Sequence, residues 1–81
     1  MRVDKFLKVS RIIKRRTVAN GACDGGRVSI NGKSVKPSHE VKPGDIIEVS
    51  FGTGKVKAEI LEINATAGKA QAADMYRIIE E

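Results

Sequence analysis

Eighty-one residues suffice for one domain with a modest core and leave no room for a catalytic cleft between two lobes. Cys23 is the single cysteine and His39 the single histidine, which excludes an internal disulfide and leaves a metal site without ligands, so no cofactor is expected. The net charge of +5 is unevenly spread: residues 1–36 carry ten basic side chains against Asp4 and Asp24, a net of +8, whereas residues 37–81 carry five basic against eight acidic, a net of −3.

Such polarity implies one face for a polyanion and a solvated back. No apolar run approaches the roughly 20 residues of a membrane span, and the N-terminus enters mixed charge at once, so a cytoplasmic protein is expected.

In chain order, residues 3–10 carry a helical pattern, with Val3, Phe6, Leu7 and Ser10 on one side and Arg2, Lys5, Lys8 and Arg11 spread over the other. Arg11-Ile12-Ile13-Lys14-Arg15-Arg16 then sets four cations around two isoleucines. Isoleucines anchored in a core would hold those cations as one array, and planar guanidinium forks suit paired phosphate oxygens. Taken alone, the run fits a solvated charged turn equally well. Asp4 either caps the first helix or orients a nearby arginine.

Thr17 opens a second helix to about Asp24, with Val18, Ala19, Ala22 and Cys23 as its packed side. Gly21 inside it implies a weak helix or a close neighbour. Gly25-Gly26 ends it. Cys23 reads as a small buried apolar residue.

Strands follow. Arg27-Val28-Ser29-Ile30 alternates, Asn31-Gly32 is a hairpin turn whose residues both accept positive φ, and Lys33-Ser34-Val35 returns. Arg27 also suits a sheet-surface ion pair. Lys42-Pro43-Gly44-Asp45 turns into a third strand, Ile46-Ile47-Glu48-Val49. Phe51-Gly52-Thr53-Gly54 turns into a fourth over residues 56–63, with Leu61 and Ile63 as further apolar positions. Residues 66–75 are alanine-rich and read as a short helix, Tyr76-Arg77-Ile78-Ile79 as a last strand, and Glu80-Glu81 as an acidic end.

Little suggests catalysis. Gly52-Thr53-Gly54 lacks the Lys-Ser/Thr and following helix of a nucleotide loop. Ser38 adjoins His39, but neighbours in sequence do not make a catalytic triad. Phe6 and Phe51 read as core, leaving no ladder of rings to stack bases, which argues against recognition of single strands by stacking. From these residues alone, a nucleic-acid binder and a module for acidic proteins or lipid surfaces both remain open.

Arg2-Val3-Asp4-Lys5-Phe6-Leu7, Ser10-Arg11, Lys14-Arg15-Arg16-Thr17, Ala19 and Gly26-Arg27-Val28-Ser29-Ile30-Asn31-Gly32 together resemble the S-four-type RNA-binding domain, named after a small-subunit ribosomal protein. Val35, Pro37-Ser38, Val41 and Pro43-Gly44-Asp45 continue the likeness, which covers residues 2–50 as the core signature, with strands and a short helix over 51–81 completing a single RNA-binding domain. Over nearly the full length, including Ala72-Ala73-Asp74-Met75-Tyr76, the chain is similar to the stand-alone RqcP (YabO) group. It is also similar to a heat-shock protein of about fifteen kilodaltons, whose basic C-terminal extension contrasts with the acidic end here.

The resemblance implies an α+β fold, two short N-terminal helices on a small, mainly antiparallel four- to five-stranded sheet with a short C-terminal helix. It implies a monomeric, ribosome-associated, non-enzymatic protein that binds large-subunit rRNA and peptidyl-tRNA. In that setting it supports C-terminal alanine tailing by the partner RqcH, with no membrane and no small-molecule substrate involved. The alternative it implies is a general RNA- or DNA-binding or ribosome-recycling stress role of the heat-shock relative's kind. The RNA contacts carried over are Arg2, Lys5, Lys8, Arg11, Lys14, Arg15, Arg16 and Thr17, with Lys33 past the hairpin turn; Arg11 and Arg16, which flank the anchored isoleucines, are expected to matter most.

Overall fold

A computed structural model describes residues 1–79; the acidic Glu80-Glu81 end lies outside the described residues. Helix α1 (Val3–Val9) and helix α2 (Arg16–Asp24) precede strands β1 (Val28–Ile30), β2 (Lys33–Ser34), β3 (Ile46–Phe51) and β4 (Gly54–Ile60). A one-turn helix α3 (Lys69–Ala72) runs into a 3₁₀ turn (Ala73–Met75) and strand β5 (Tyr76–Ile78). The sheet is antiparallel throughout, in the order β2-β1-β3-β4-β5. The expected α+β architecture is present.

The strand period decides which side chains enter the core. Val28 and Ile30, Ile47 and Val49, and Ala58 and Ile60 are buried on one face of the sheet. They share a single cluster with Val3, Phe6 and Leu7 of α1, with Ala19, Ala22 and Cys23 of α2, and with Ile13, Val41 and Met75. The helical pair therefore caps the sheet, and burying these aliphatic side chains at about 25 cal/mol per Å² supplies most of the drive to fold. Ile13 is buried and Ile12 packs partly against the same cluster, so the basic stretch is anchored as its isoleucines imply.

The start of α1 needs no side-chain cap because a later loop supplies the acceptors. Val3 N–H donates to His39 O at 2.7 Å and Asp4 N–H to Pro37 O at 3.3 Å. Val41 N–H donates to Met1 O at 3.0 Å, and the Met1 ammonium pairs with Glu40 at 2.9 Å. Two of the orphan N–H groups of a helix N-terminus are satisfied in this way. The loop over 37–41 thus fixes where α1 begins, and with it Arg2 and Asp4.

Both expected turns form. Asn31 and Gly32 have φ of 51° and 87°, the geometry of a two-residue hairpin that follows strand twist. Asn31 also ties this hairpin to the next turn: its amide donates to buried Asp45 at 3.1 Å, and its side-chain oxygen accepts from Ile46 N–H at 2.9 Å.

Elsewhere the elements differ from expectation. Strand β4 begins at Gly54, because Gly52-Thr53 is a tight two-residue loop with Phe51 paired to Gly54, and it ends at Ile60. Leu61 is exposed beyond it. The alanine-rich segment is helical only from Lys69, with Gly68 ahead of it in extended backbone. Phe51, expected in the core, is exposed, since the last residue of β3 runs past the helices. Val18 is also exposed: Ala19, Ala22 and Cys23 take the i, i+3, i+4 stripe, and Val18 falls outside it.

Candidate RNA-binding surface

Asp4 is the pivot of the surface. Its carboxylate is 2% exposed, and it accepts from Arg2 Nη2 at 3.0 Å, Arg2 Nε at 3.2 Å, Arg16 Nη2 at 3.5 Å, Asn20 Nδ2 at 3.4 Å and Lys5 N–H at 2.7 Å. Of its two anticipated roles Asp4 fills the orienting one: it holds two arginines, and from inside α1, whose N-cap is Arg2, it also accepts from an N–H of the first turn. Two guanidiniums share one carboxylate, so a net positive charge remains. The Arg2 and Arg16 side chains stay 45% and 46% exposed, with donors left for an outside ligand. Burial pushes the Asp4 carboxyl up, but the hydrogen bonds from Arg2 and Asn20, the Arg16 charge and the Lys5 N–H pull harder, and it lies below the usual carboxylate range.

Arg2, Asp4, Arg16, Thr17 and Asn20 line one shallow concavity of about 380 Å³. It opens at the N-terminus of α2, whose first turn holds no acidic residue, so the helix end adds a partial positive charge. Asn20 was not among the expected contacts. Its signal was available, because helical spacing from Arg16 and Thr17 puts it on their face.

Lys8, Arg11 and Lys14 line a second concavity, together with Val9, Ala65, Thr66 and Ala67. Arg11 sits just past the end of α1 with φ of 64°, where the chain reverses toward α2. Arg11 and Arg16 accordingly line different concavities, and the expected single array is two groups. Lys5 lies half-buried within α1, and Arg15 is exposed at the residue preceding α2. Lys33 is removed from both groups, lining a third hollow with Lys36, Ser38 and His39. Among the described residues no carboxylate pairs with Lys8, Arg11, Lys14 or Arg15.

Cys23 is buried beneath this surface, its thiol pushed up to about 11 by burial and by the Asp4 and Asp24 charges, so it serves as packing. Among the described residues no three His, Cys, Asp or Glu side chains gather as metal ligands, and no helix is long and apolar enough to cross a membrane.

Comparison with known proteins places this surface in a family. The S4 domain pattern matches residues 1–47, the part that builds both helices, the hairpin and the loop pinning α1. The chain is 53% identical over its full length to the RQC P-site tRNA stabilizing factor of Bacillus subtilis, covering 94% of that protein. It is 48% identical to the protein of the same name from Streptococcus pneumoniae, covering 92% of it. A solved trimeric structure of Vibrio cholerae Heat Shock Protein 15 superposes with a TM-score of 0.89 at 32% identity, over 98% of this chain and 81% of that one. The solution structure of a hypothetical protein, HP1423, superposes with a TM-score of 0.86 at 32% identity, over 100% and 99%. The chain belongs to the S4 domain family, among the RQC P-site tRNA stabilizing factors.

Proposed function

We propose that this protein is a non-catalytic RNA-binding factor of ribosome-associated quality control. It binds the large ribosomal subunit that still carries a stalled peptidyl-tRNA, touches rRNA and tRNA backbone together, and so supports C-terminal alanine tailing with RqcH as the functional partner. It works as a cytoplasmic monomer. The contacts are Arg2, Arg16 and Thr17 on one concavity and Lys8, Arg11 and Lys14 on the other, with Lys5, Arg15 and Lys33 adding charge.

One observation carries this reading: two half-exposed guanidiniums are held by a single buried carboxylate at the open end of a helix. Fixed forks of this kind match phosphate oxygens better than mobile lysines do. The names and near-complete coverage of the relatives supply the ribosomal setting. Phosphates and 2′-hydroxyls are the natural targets of such a surface, and base readout is slight.

The test is sedimentation of the tagged protein through a sucrose gradient, followed by probing of the bound large subunits for nascent chains and alanine tails. Co-sedimentation with large subunits bearing nascent chains is expected. Arg16→Ala should weaken that binding by about 1.5–3 kcal/mol, the range for hydrogen bonds to a charged group, while circular dichroism stays native. Equal affinity for duplex DNA and rRNA at matched salt would point instead to a general nucleic-acid binder.

A further inference from the structure

The second concavity has a wall that the family signature does not cover. Lys8, Arg11 and Lys14 come from within residues 1–47, but Ala65, Thr66 and Ala67 lie beyond them. No carboxylate lines this space of about 290 Å³. At about 30 Å³ per water molecule it holds roughly ten waters, enough for a phosphate and the sugar attached to it. The wall is also ordered internally. Asn64 Oδ1 accepts from Thr66 N–H at 3.1 Å and from the Thr66 hydroxyl at 3.2 Å, and Ala67 N–H donates to Asn64 O at 3.4 Å. The backbone N–H fixes Asn64 with its oxygen toward Thr66, so the hydroxyl proton is committed to Asn64. Thr66 Oγ1 therefore keeps its lone pairs for an outside donor, and Thr66 lines the same concavity as the three cations.

An acceptor among cations is a poor partner for a phosphate oxygen and a good one for a hydroxyl that accompanies a phosphate. We infer that this concavity is a ribose–phosphate subsite, in which Lys8, Arg11 and Lys14 hold an RNA phosphate and Thr66 Oγ1 accepts a hydrogen bond from the adjoining 2′-hydroxyl. The inference rests on the RNA-binding reading above and adds to it a residue that senses the sugar. The lysines supply charge that any polyanion could use, whereas Thr66 distinguishes ribose from a sugar lacking the 2′ donor.

The experiment compares two short A-form hairpins of identical sequence at one salt concentration, one of ordinary RNA and one fully 2′-fluoro. The fluoro form keeps the A-form helix and removes the 2′ donor. Wild type should bind the ordinary hairpin at least about threefold more tightly, taking a net hydrogen bond as roughly 1 kcal/mol. Thr66→Val should bring the ratio near one and leave affinity for the fluoro hairpin unchanged, and Thr66→Ser should restore the preference. Ala65→Glu, which puts a carboxylate among the cations, should weaken binding of both hairpins alike. A ratio of one for wild type, or an undiminished ratio for Thr66→Val, would overturn the subsite. Failure of wild type to bind either hairpin would instead remove the RNA-binding reading on which it stands.

Discussion

Asp4 carries the most consequence of any single residue. Its carboxyl is held below the ordinary range in the folded protein, so it binds a proton more weakly folded than unfolded. The stability it contributes is therefore fully present above the unfolded value near 4 and is lost as the pH falls through the lower folded value. Asp4→Asn should reduce stability at neutral pH by about 1–3 kcal/mol and flatten the acid limb of the denaturation profile below pH of about 4, read by urea melts across pH. An acid limb as steep as wild type's would show that the charge of Asp4 does not matter to folding.

Arg11 is the opposite case, a residue kept against the preference of its backbone. At φ of 64° an L side chain is disfavoured by roughly 1 kcal/mol or more, and glycine would sit there without penalty. Arg11→Gly should leave stability unchanged or raise it by up to about 1 kcal/mol while RNA affinity falls. Lower stability with intact binding would mean that the side chain serves packing instead. Arg11 was legible in the sequence as a cation, but its left-handed backbone was not, because nothing local marks a non-glycine residue for that conformation. For Asp4 the sequence leaves capping and arginine-orienting open as alternatives; that it holds Arg16 as well as Arg2 depends on α2 returning beside α1, a tertiary fact.

Among the elements, local chemistry served well wherever it was strong. The Asn31-Gly32 hairpin is dictated by two residues that accept positive φ and the Pro43-Gly44 turn by the fixed φ of Pro43 followed by Gly44 at 96°, and both stand where the sequence puts them. The apolar stripe of α1 was equally clear. Single apolar residues were not: Val18 falls outside the packed stripe of α2, Phe51 is the last residue of β3 and Leu61 lies just past β4, and all three are exposed. Residues 61–63, expected as strand, and 66–68, expected as helix, are irregular, and for the latter alanine propensity does not nucleate a helix alone. Even so, this segment supplies the wall of the second concavity, which no local motif announced.

Gly21 can now be assigned between its two readings. A side chain there would meet nothing within 4 Å, so no neighbour within the protein requires the space, and the glycine weakens α2. Gly21→Ala should stabilise the protein by up to about 1 kcal/mol, a rise of about 4–8 °C in Tm for a domain of this size, measured by calorimetry. A lower Tm would mean that the helix is strained at this point in a way its backbone does not show.

At the scale of the whole molecule, the charge polarity of the sequence becomes geometry. The first 36 residues, net +8, build both helices and the hairpin, and the later residues furnish most of the sheet and the loop that pins α1. The separation is not complete, because residues 65–67 share a concavity with the cations at the end of α1. The family was legible in the ordered motifs of residues 2–50; the division of the cations into two concavities was not, since it depends on how α1 and α2 cross.

The central claim is that these cations meet phosphates as a fixed set. The most direct measurement is the salt dependence of binding to large ribosomal subunits, for wild type and for Arg2→Ala/Arg16→Ala. If about five cations neutralise phosphates, log K against log salt should slope at roughly −3 to −5, and the double variant should be shallower by roughly 1 to 2 with its fold intact. A folded double variant with the slope and affinity of wild type would contradict the claim.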